Sequence, residues 1–188
     1  MMKRGRDSAL LLMGVALLGG AAARATTLRH MSVAEMSRSA AVVVRAKCTG
    51  QSTGWDGGEI WTFTTFEVQE VWKGASPAQV VVRLLGGRTP EFTSTISGVP
   101  QFRTGEEVVL FLEPTTRGDF SITSWMQGTF RVVRDARTGE ERVRQDTAAF
   151  PVFDPATRSF SPMGIRDLPV SALRAQVAAA VWAEGGRK

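Results

Sequence analysis

The order of apolar and polar positions along this chain is mainly that of β-strands. The longest β-favouring run is Ile60 to Gly74, IWTFTTFEVQEVWKG, thick with Thr, Phe, Val and Trp and closed by Lys73-Gly74. Its alternation changes phase: Trp61 and Phe63 share one parity, Phe66 and Val68 the other. Side chains along a strand alternate faces with a period of two, so the change predicts a bulge or sharp coil near Thr64-Thr65. A long, bent strand that is apolar on both sides of the bend suits a small closed or nearly closed barrel.

Further elements follow in chain order. Ser32-Val33-Ala34-Glu35 reads as a capping box opening a short helix to about Ser39, with Val33 and Met36 on one face. Ala41 to Cys48 is a strand whose continuous Val42-Val43-Val44 predicts burial on both faces. Gln51 to Gly58 carries the turn chemistry of a hairpin loop, with Trp55 at its tip. Gln79 to Leu85 is a strand with Val80, Val82 and Leu84 on one side, ended by Gly86-Gly87-Arg88. Thr89 to Pro100 is a polar connection with a short edge strand around Phe92 to Ile96. Val108 to Leu112 is again apolar on both faces. Phe120 to Trp125 and Gly128 to Arg134 are strands separated at Met126-Gln127. After a turn at Asp135 to Gly139, the charged Glu140 to Gln145 reads as an exposed edge strand. Asp146 to Asp167, with Pro151, Pro155 and Pro162, reads as irregular. Ser171 is expected to cap a final helix on which Leu173, Val177 and Val181 recur, stopped at Gly185-Gly186.

The N-terminus changes the accounting of charge. Lys3, Arg4 and Arg6, the 13-residue apolar run Ser8 to Gly20, and Ala23 and Ala25 form the three parts of a signal peptide over 1–25. That run is shorter than the roughly 18 residues needed to span a bilayer. The expected mature chain, Thr26 to Lys188, is 163 residues and one domain. Removing four Lys/Arg and one Asp from the totals of 23 and 18 leaves 19 positive and 17 negative side chains, a net charge of +2 rather than +5. The remaining Arg residues form no stripe, so nucleic acid is not an expected partner. An exported chain, periplasmic or secreted and not membrane-spanning after cleavage, is the expectation.

Little catalytic chemistry stands out. The one histidine, His30, lies just past the expected cleavage point, and the one cysteine, Cys48, lies in a strand. A nucleophilic triad or a zinc site has too few residues to draw on. Gly86-Gly87 follows a strand but opens no helix, so it is no phosphate loop. The adjacent pairs Glu106-Glu107 and Glu140-Glu141 point to opposite faces, although distant carboxylates converging in a glycosidase remain an alternative. Calcium at Asp56 or Asp154 lacks a spaced acidic loop. No cofactor is expected. Cys48 reads as a small buried hydrophobe, with an intermolecular disulfide as the alternative. Five Trp and ten Phe accompany no Tyr. Trp61, Trp72 and Trp125 read as packing residues in or beside strands, and Trp55 as the exposed one.

Taken together, VVVRAKCTG, TFTTFEVQEVWKG, VVVRLLGG, GVPQFRTGEEVVLFL and WMQGTFRVV form a pattern that resembles exported bacterial proteins of unassigned function. More remotely it is similar to the netrin-like OB-fold barrel of tissue inhibitors of metalloproteinases. The matching positions are Val42 to Lys47, Glu70 to Gly74 and Phe102 to Leu112, within Ala41 to Val133. The resemblance implies a mainly β fold: a single small OB-like (netrin-like) barrel with a short N-terminal helix and a C-terminal helix. Those inhibitors chelate zinc through an N-terminal cysteine; a mature chain starting at Thr26 has none, so their mechanism does not carry over.

The functional expectation is a non-enzymatic binding module whose loops Gln51 to Gly58, Gly86 to Pro100 and Trp125 to Gly128 meet an envelope or secreted protein, or a glycan. A secreted protease is the narrower form of that expectation. Trp55, Gly86, Gly87, Arg88 and Trp125 are the candidate contact residues. A glycan hydrolase and a structural envelope protein are the alternatives, and the oligomeric state is open.

Overall fold

The computed structural model describes residues 29–149, 151–162 and 164–186. The signal segment expected over 1–25 lies outside them. Over the described residues the fold is mainly β, with one large sheet and two α-helices. No helix among the described residues is long and apolar enough to cross a membrane.

Helix α1 (Val33–Ser39) starts at the expected capping box: Ser32 accepts from the Glu35 amide, and Glu35 returns a bond to the Ser32 amide. Strands β1 (Val42–Asp56) and β2 (Glu59–Lys73) then form one long hairpin turned by Gly57-Gly58. Both turn glycines have positive φ, 61° and 85°, which a tight two-residue hairpin requires. Gln51 to Asp56 is therefore strand and not loop. Ladder hydrogen bonds override its Gly and Ser content, because the partner Ile60 to Thr64 is strongly β-forming.

Strand β3 (Gln79–Leu85) keeps its expected limits and pairs with β2. Short strands β4 (Gly87–Arg88) and β5 (Thr93–Ser94) pair with each other. Strand β6 (Glu107–Pro114) pairs with β1, with β7 (Phe120–Ile122) and with β8 (Thr129–Arg134). A 3-10 turn, Trp125–Gly128, shortens the strand expected to reach Trp125. Strand β9 (Glu141–Gln145) lies between β8 and β12 (Leu168–Pro169), so it is not an edge. Its charges are used in ion pairs: Glu141 meets Arg45 and Arg134, and Arg142 meets Asp167. Within the stretch read as irregular, β10 (Pro151–Asp154) and β11 (Ser159–Pro162) form a hairpin. Helix α2 (Val170–Gly185) begins one residue before Ser171, at a Pro169 N-cap with no side-chain bond. Proline pre-sets the entry dihedral and supplies no donor.

The sheet runs β1-β2-β3-β7-β6-β8-β9-β12, and β1 also pairs with β6. Starting from β1, the pairings pass through β2, β3, β7 and β6 and return to β1; the β3–β7 link is one parallel bridge, Val82 to Phe120. Alternation then sorts the core in two. Val42, Val44, Ala46 and Cys48 of β1 join Phe66, Val80, Val82, Leu110 and Leu112 inside that circuit. Val43, Val109 and Phe111, on the other face of the same strands, meet Met36, Leu173 and Val177 of the helices. The strands expected to be buried on both faces are so buried, and each fully enclosed Phe or Leu contributes about 1.5–3 kcal/mol.

The parity change read in β2 has another cause. Ile60, Thr62, Thr64, Phe66 and Val68 all keep one face. At Thr65-Phe66 the irregularity lies on the partner strand: Cys48 faces Phe66, Gly50 faces Thr65, and Thr49 is the extra residue, whereas β2 carries its own extra residues further on, at Gln69 and Trp72. Trp61 and Phe63 sit on the opposite face of β2, half-covered by the Arg83 guanidinium at 4.1 and 5.8 Å from their ring centres.

Candidate functional site

The bulge at Thr49 has a consequence for chemistry. Before it, β1 turns its even-numbered residues inward; after it, Gln51, Thr53 and Trp55 lie opposite Thr64, Thr62 and Ile60 and share their face. The interior of the circuit thus changes from aliphatic to hydroxyl- and amide-bearing toward the β1–β2 turn.

At that end lies a cavity of about 280 Å³. Gln51, Thr53, Thr62 and Thr64 line it from the hairpin, Thr93, Ser94 and Thr95 from β5 and its continuation, and Leu84, Ile96, Val99 and Phe102 supply apolar surface. Thr53 and Thr62 hydroxyls lie 3.2 Å apart, and Thr62 Oγ1 donates to the Gly86 carbonyl at 2.8 Å. Gln51 Nε2 donates to the Phe102 carbonyl and ties the 101–106 turn to β1. Thr64 is fully buried, and its hydroxyl has no hydrogen-bond partner among the described residues. Gly87, at φ 142°, packs so closely that a Cβ there would come within 2.3 Å of Thr62 Oγ1. Arg88 is exposed at the rim.

An aromatic lip flanks the cavity. Trp55, two residues beyond Thr53 on the same face, meets Phe92 edge-on, with ring centres 5.7 Å apart at 84°. Both are exposed, at 56% and 58%. The β4–β5 turn holds Phe92 in place: its amide donates to Thr89 Oγ1 at 3.1 Å, and the Thr89 amide donates to its carbonyl at 2.8 Å.

Of the five candidate contact residues, Gly86, Gly87 and Arg88 line the cavity, and Trp55 stands two residues along β1 from its Thr53 wall. Trp125 lines a second cleft of about 480 Å³, which borders the first at Leu84, Leu85 and Val99, with Trp61, Asp56, Arg83 and Arg117. Ser124 and Trp125 both have left-handed backbones, at φ 53° and 51°. Gln127 secures this turn by donating to Ser124 Oγ and to the Arg29 carbonyl, both at 2.7 Å. Asp56 is held by Arg117 and by Arg83, the latter at 2.7 Å. Those two guanidiniums, Arg117 first, keep its carboxyl below the usual range.

A third cleft runs along α2 beside an ion network. Arg45, nearly enclosed, bonds Glu141 and Glu107 at 2.8 Å and lies 3.6 Å from Glu70. Arg174 and Arg134 complete the charge balance from outside. Glu106, next to Glu107, pairs instead with Arg131, as opposite-facing neighbours must. Among the described residues, no three histidine, cysteine or carboxylate side chains converge as a metal site would need.

Gln51, Thr53, Thr62, Thr64 and Phe92 do not stand out in the one-dimensional pattern. The available signal was the Thr62/Thr64 alternation in β2, which departs from aliphatic at inward positions. No protein-family model matches the chain, and comparison with curated proteins gives no match.

Proposed function

We propose that this chain is an exported, non-enzymatic binding module that recognises a glycan of the cell envelope or medium. In this reading the five-strand circuit is an OB-like, netrin-like barrel, and recognition occurs at its β1–β2 end. The observation that carries the reading is the Trp55–Phe92 pair standing exposed beside a hydroxyl-lined cavity. Aromatic faces pack the C–H faces of sugars, while threonine and amide groups exchange hydrogen bonds with their hydroxyls. OB barrels bind on a strand face and the adjoining loops.

The charge pattern supports binding over hydrolysis. A carboxyl acting as acid in glycoside cleavage needs its pKa raised. Among the described carboxyls that shift, Glu35, Asp56, Asp135, Glu141 and Asp154 all move down. Asp56 is gripped by Arg117 and, at 2.7 Å, by Arg83, which favours its ionised form.

The test is retention of envelope material on the immobilised chain, compared with Trp55→Ala and Phe92→Ala. Retention of polysaccharide that falls about tenfold in either variant, the loss of one well-packed aromatic contact, supports the reading. Recovery of a protein with no polysaccharide, a protease included, would overturn it.

A further inference from the structure

We infer that the cavity beside the Trp55–Phe92 lip is a subsite for one uncharged, hydroxyl-rich ring, a single neutral sugar residue. This rests on the glycan reading above and makes it specific.

Size comes first. At about 280 Å³ the cavity lies at the low end of ligand sites, which start near 300 Å³. It suits one ring and not an extended chain, so the rest of a glycan would pass over the lip.

Charge decides the class. Among the described residues no carboxylate lines the cavity, and the one ionised lining side chain, Arg88, is exposed at the rim. An exposed cation gains little from an anionic ligand because solvent screens it. A cationic ligand meets no counter-charge. An uncharged ring leaves nothing unpaired.

The polar groups fit a partner that both donates and accepts. Thr53, Thr62, Thr64 and Ser94 carry hydroxyls, each with one donor and two lone pairs. Sugar hydroxyls have the same dual character. Thr53 and Thr62 are already positioned by each other and by the Gly86 carbonyl. Beneath them Thr64 is fully buried and backs the polar wall without presenting its hydroxyl to a ligand. Leu84, Ile96 and Val99 give the opposing apolar surface for the C–H face of a ring.

The arrangement also has a direction. Thr53 and Trp55 are two residues apart on one strand face, about 7 Å along the strand. A ring in the cavity therefore has its neighbouring residue at Trp55.

The experiment is an amide NMR titration of the exported chain with three probes: N-acetylglucosamine, the anionic glucuronic acid and the cationic glucosamine. Shifts at Thr53, Thr62, Gly87 and Ser94 are expected with N-acetylglucosamine, with the charged sugars at least fivefold weaker, roughly the worth of one mismatched polar contact. Thr53→Val with Thr62→Val should weaken N-acetylglucosamine about tenfold. Trp55→Ala should weaken a chitin oligomer more than the monosaccharide. Polysaccharide retained through Trp55 with no shifts in the cavity would overturn the subsite and leave the glycan reading standing. Tightest binding by glucuronic acid or glucosamine would overturn the uncharged class. Neither retention nor shifts would overturn both. The titration of the unaltered chain decides even if the double variant does not fold.

Discussion

The Lys73 ammonium donates to the Ala40 carbonyl at 2.8 Å, just past the end of α1. It also donates to the Ser37 carbonyl at 2.6 Å, so one side chain from the far end of β2 closes the C-terminus of the helix. A cation suits this position, because carbonyls left without amide partners carry partial negative charge there. Gly74 completes the joint: at φ 74°, a Cβ would lie 2.4 Å from the Ala41 carbonyl oxygen. The Trp72-Lys73-Gly74 end of the longest strand thus docks α1 and the start of β1.

Lys73→Met should therefore cost about 1.5–3 kcal/mol, the range for hydrogen bonds to a charged group. Urea unfolding should show a lower midpoint with an unchanged slope. Hydrogen exchange should speed at the amide of Ala40, which bonds Met36 at the end of the helix. A midpoint equal to wild type would remove the capping role.

The Arg45 network should make stability depend on acid. Arg45 holds the Glu141 carboxyl below its ordinary value, chiefly through their hydrogen bond. A depressed folded-state carboxyl contributes stability that is fully present above the unfolded value of about 4.3. That contribution is lost as pH falls through the folded value. Arg45→Met should cost about 2 kcal/mol at pH 7. This is below the roughly 3–5 kcal/mol of fully buried pairs, because Glu70, Glu107 and Glu141 keep 27–34% exposure. The gap between wild type and variant in urea midpoint should narrow from pH 7 to pH 3.5. A gap that stays constant would show that packing, and not ionisation, sets it.

Cys48 should be chemically silent in the folded chain. It is 1% exposed inside the first core cluster, and burial raises its thiol pKa, leaving little thiolate. Ellman's reagent should react with the native chain at a negligible rate and with one thiol per chain in denaturant. A disulfide-linked dimer forming under native, oxidising conditions would contradict this placement and revive the intermolecular bond.

Much of the architecture is written in local pattern. The capping box at Ser32, the strand limits at Gln79 and Leu85, and double-sided burial of Val42-Val43-Val44 all follow from period and burial alone. What escaped depends on partners. Gln51 to Asp56 contains Gly, Ser and Asp, and becomes strand because Ile60 to Thr64 pairs with it. The parity change in β2 has its cause in partners: Arg83 covers Trp61 and Phe63, and the bulge opposite Thr65-Phe66 is at Thr49 of β1. The candidate site is legible at Trp55 and Gly86-Gly87, where exposure and turn chemistry are local. Its hydroxyl lining is not, because Thr53 turns toward Thr62 only through that bulge.

Gly87 provides a final test of how tightly the cavity is built. Its φ of 142° is one that side chains rarely adopt, and a Cβ would meet Thr62 Oγ1 at 2.3 Å and Thr53 Cγ2 at 2.6 Å. Gly54, on the neighbouring strand, has open space around the corresponding position and no positive φ. Gly87→Ala should then cost about 2–4 kcal/mol, combining backbone strain with overpacking. Gly54→Ala should stay within about 0.5–1 kcal/mol of wild type in either direction. Thr62→Ala removes the nearer clash and leaves the dihedral strain, so Gly87→Ala should be less damaging on that background than on the wild-type one. The coupling from a double-mutant cycle, read by urea unfolding, should be about 0.5–3 kcal/mol, as for residues in contact. Strict additivity would mean that Gly87 is required for its dihedral alone and that the wall between Thr53 and Thr62 is free to relax.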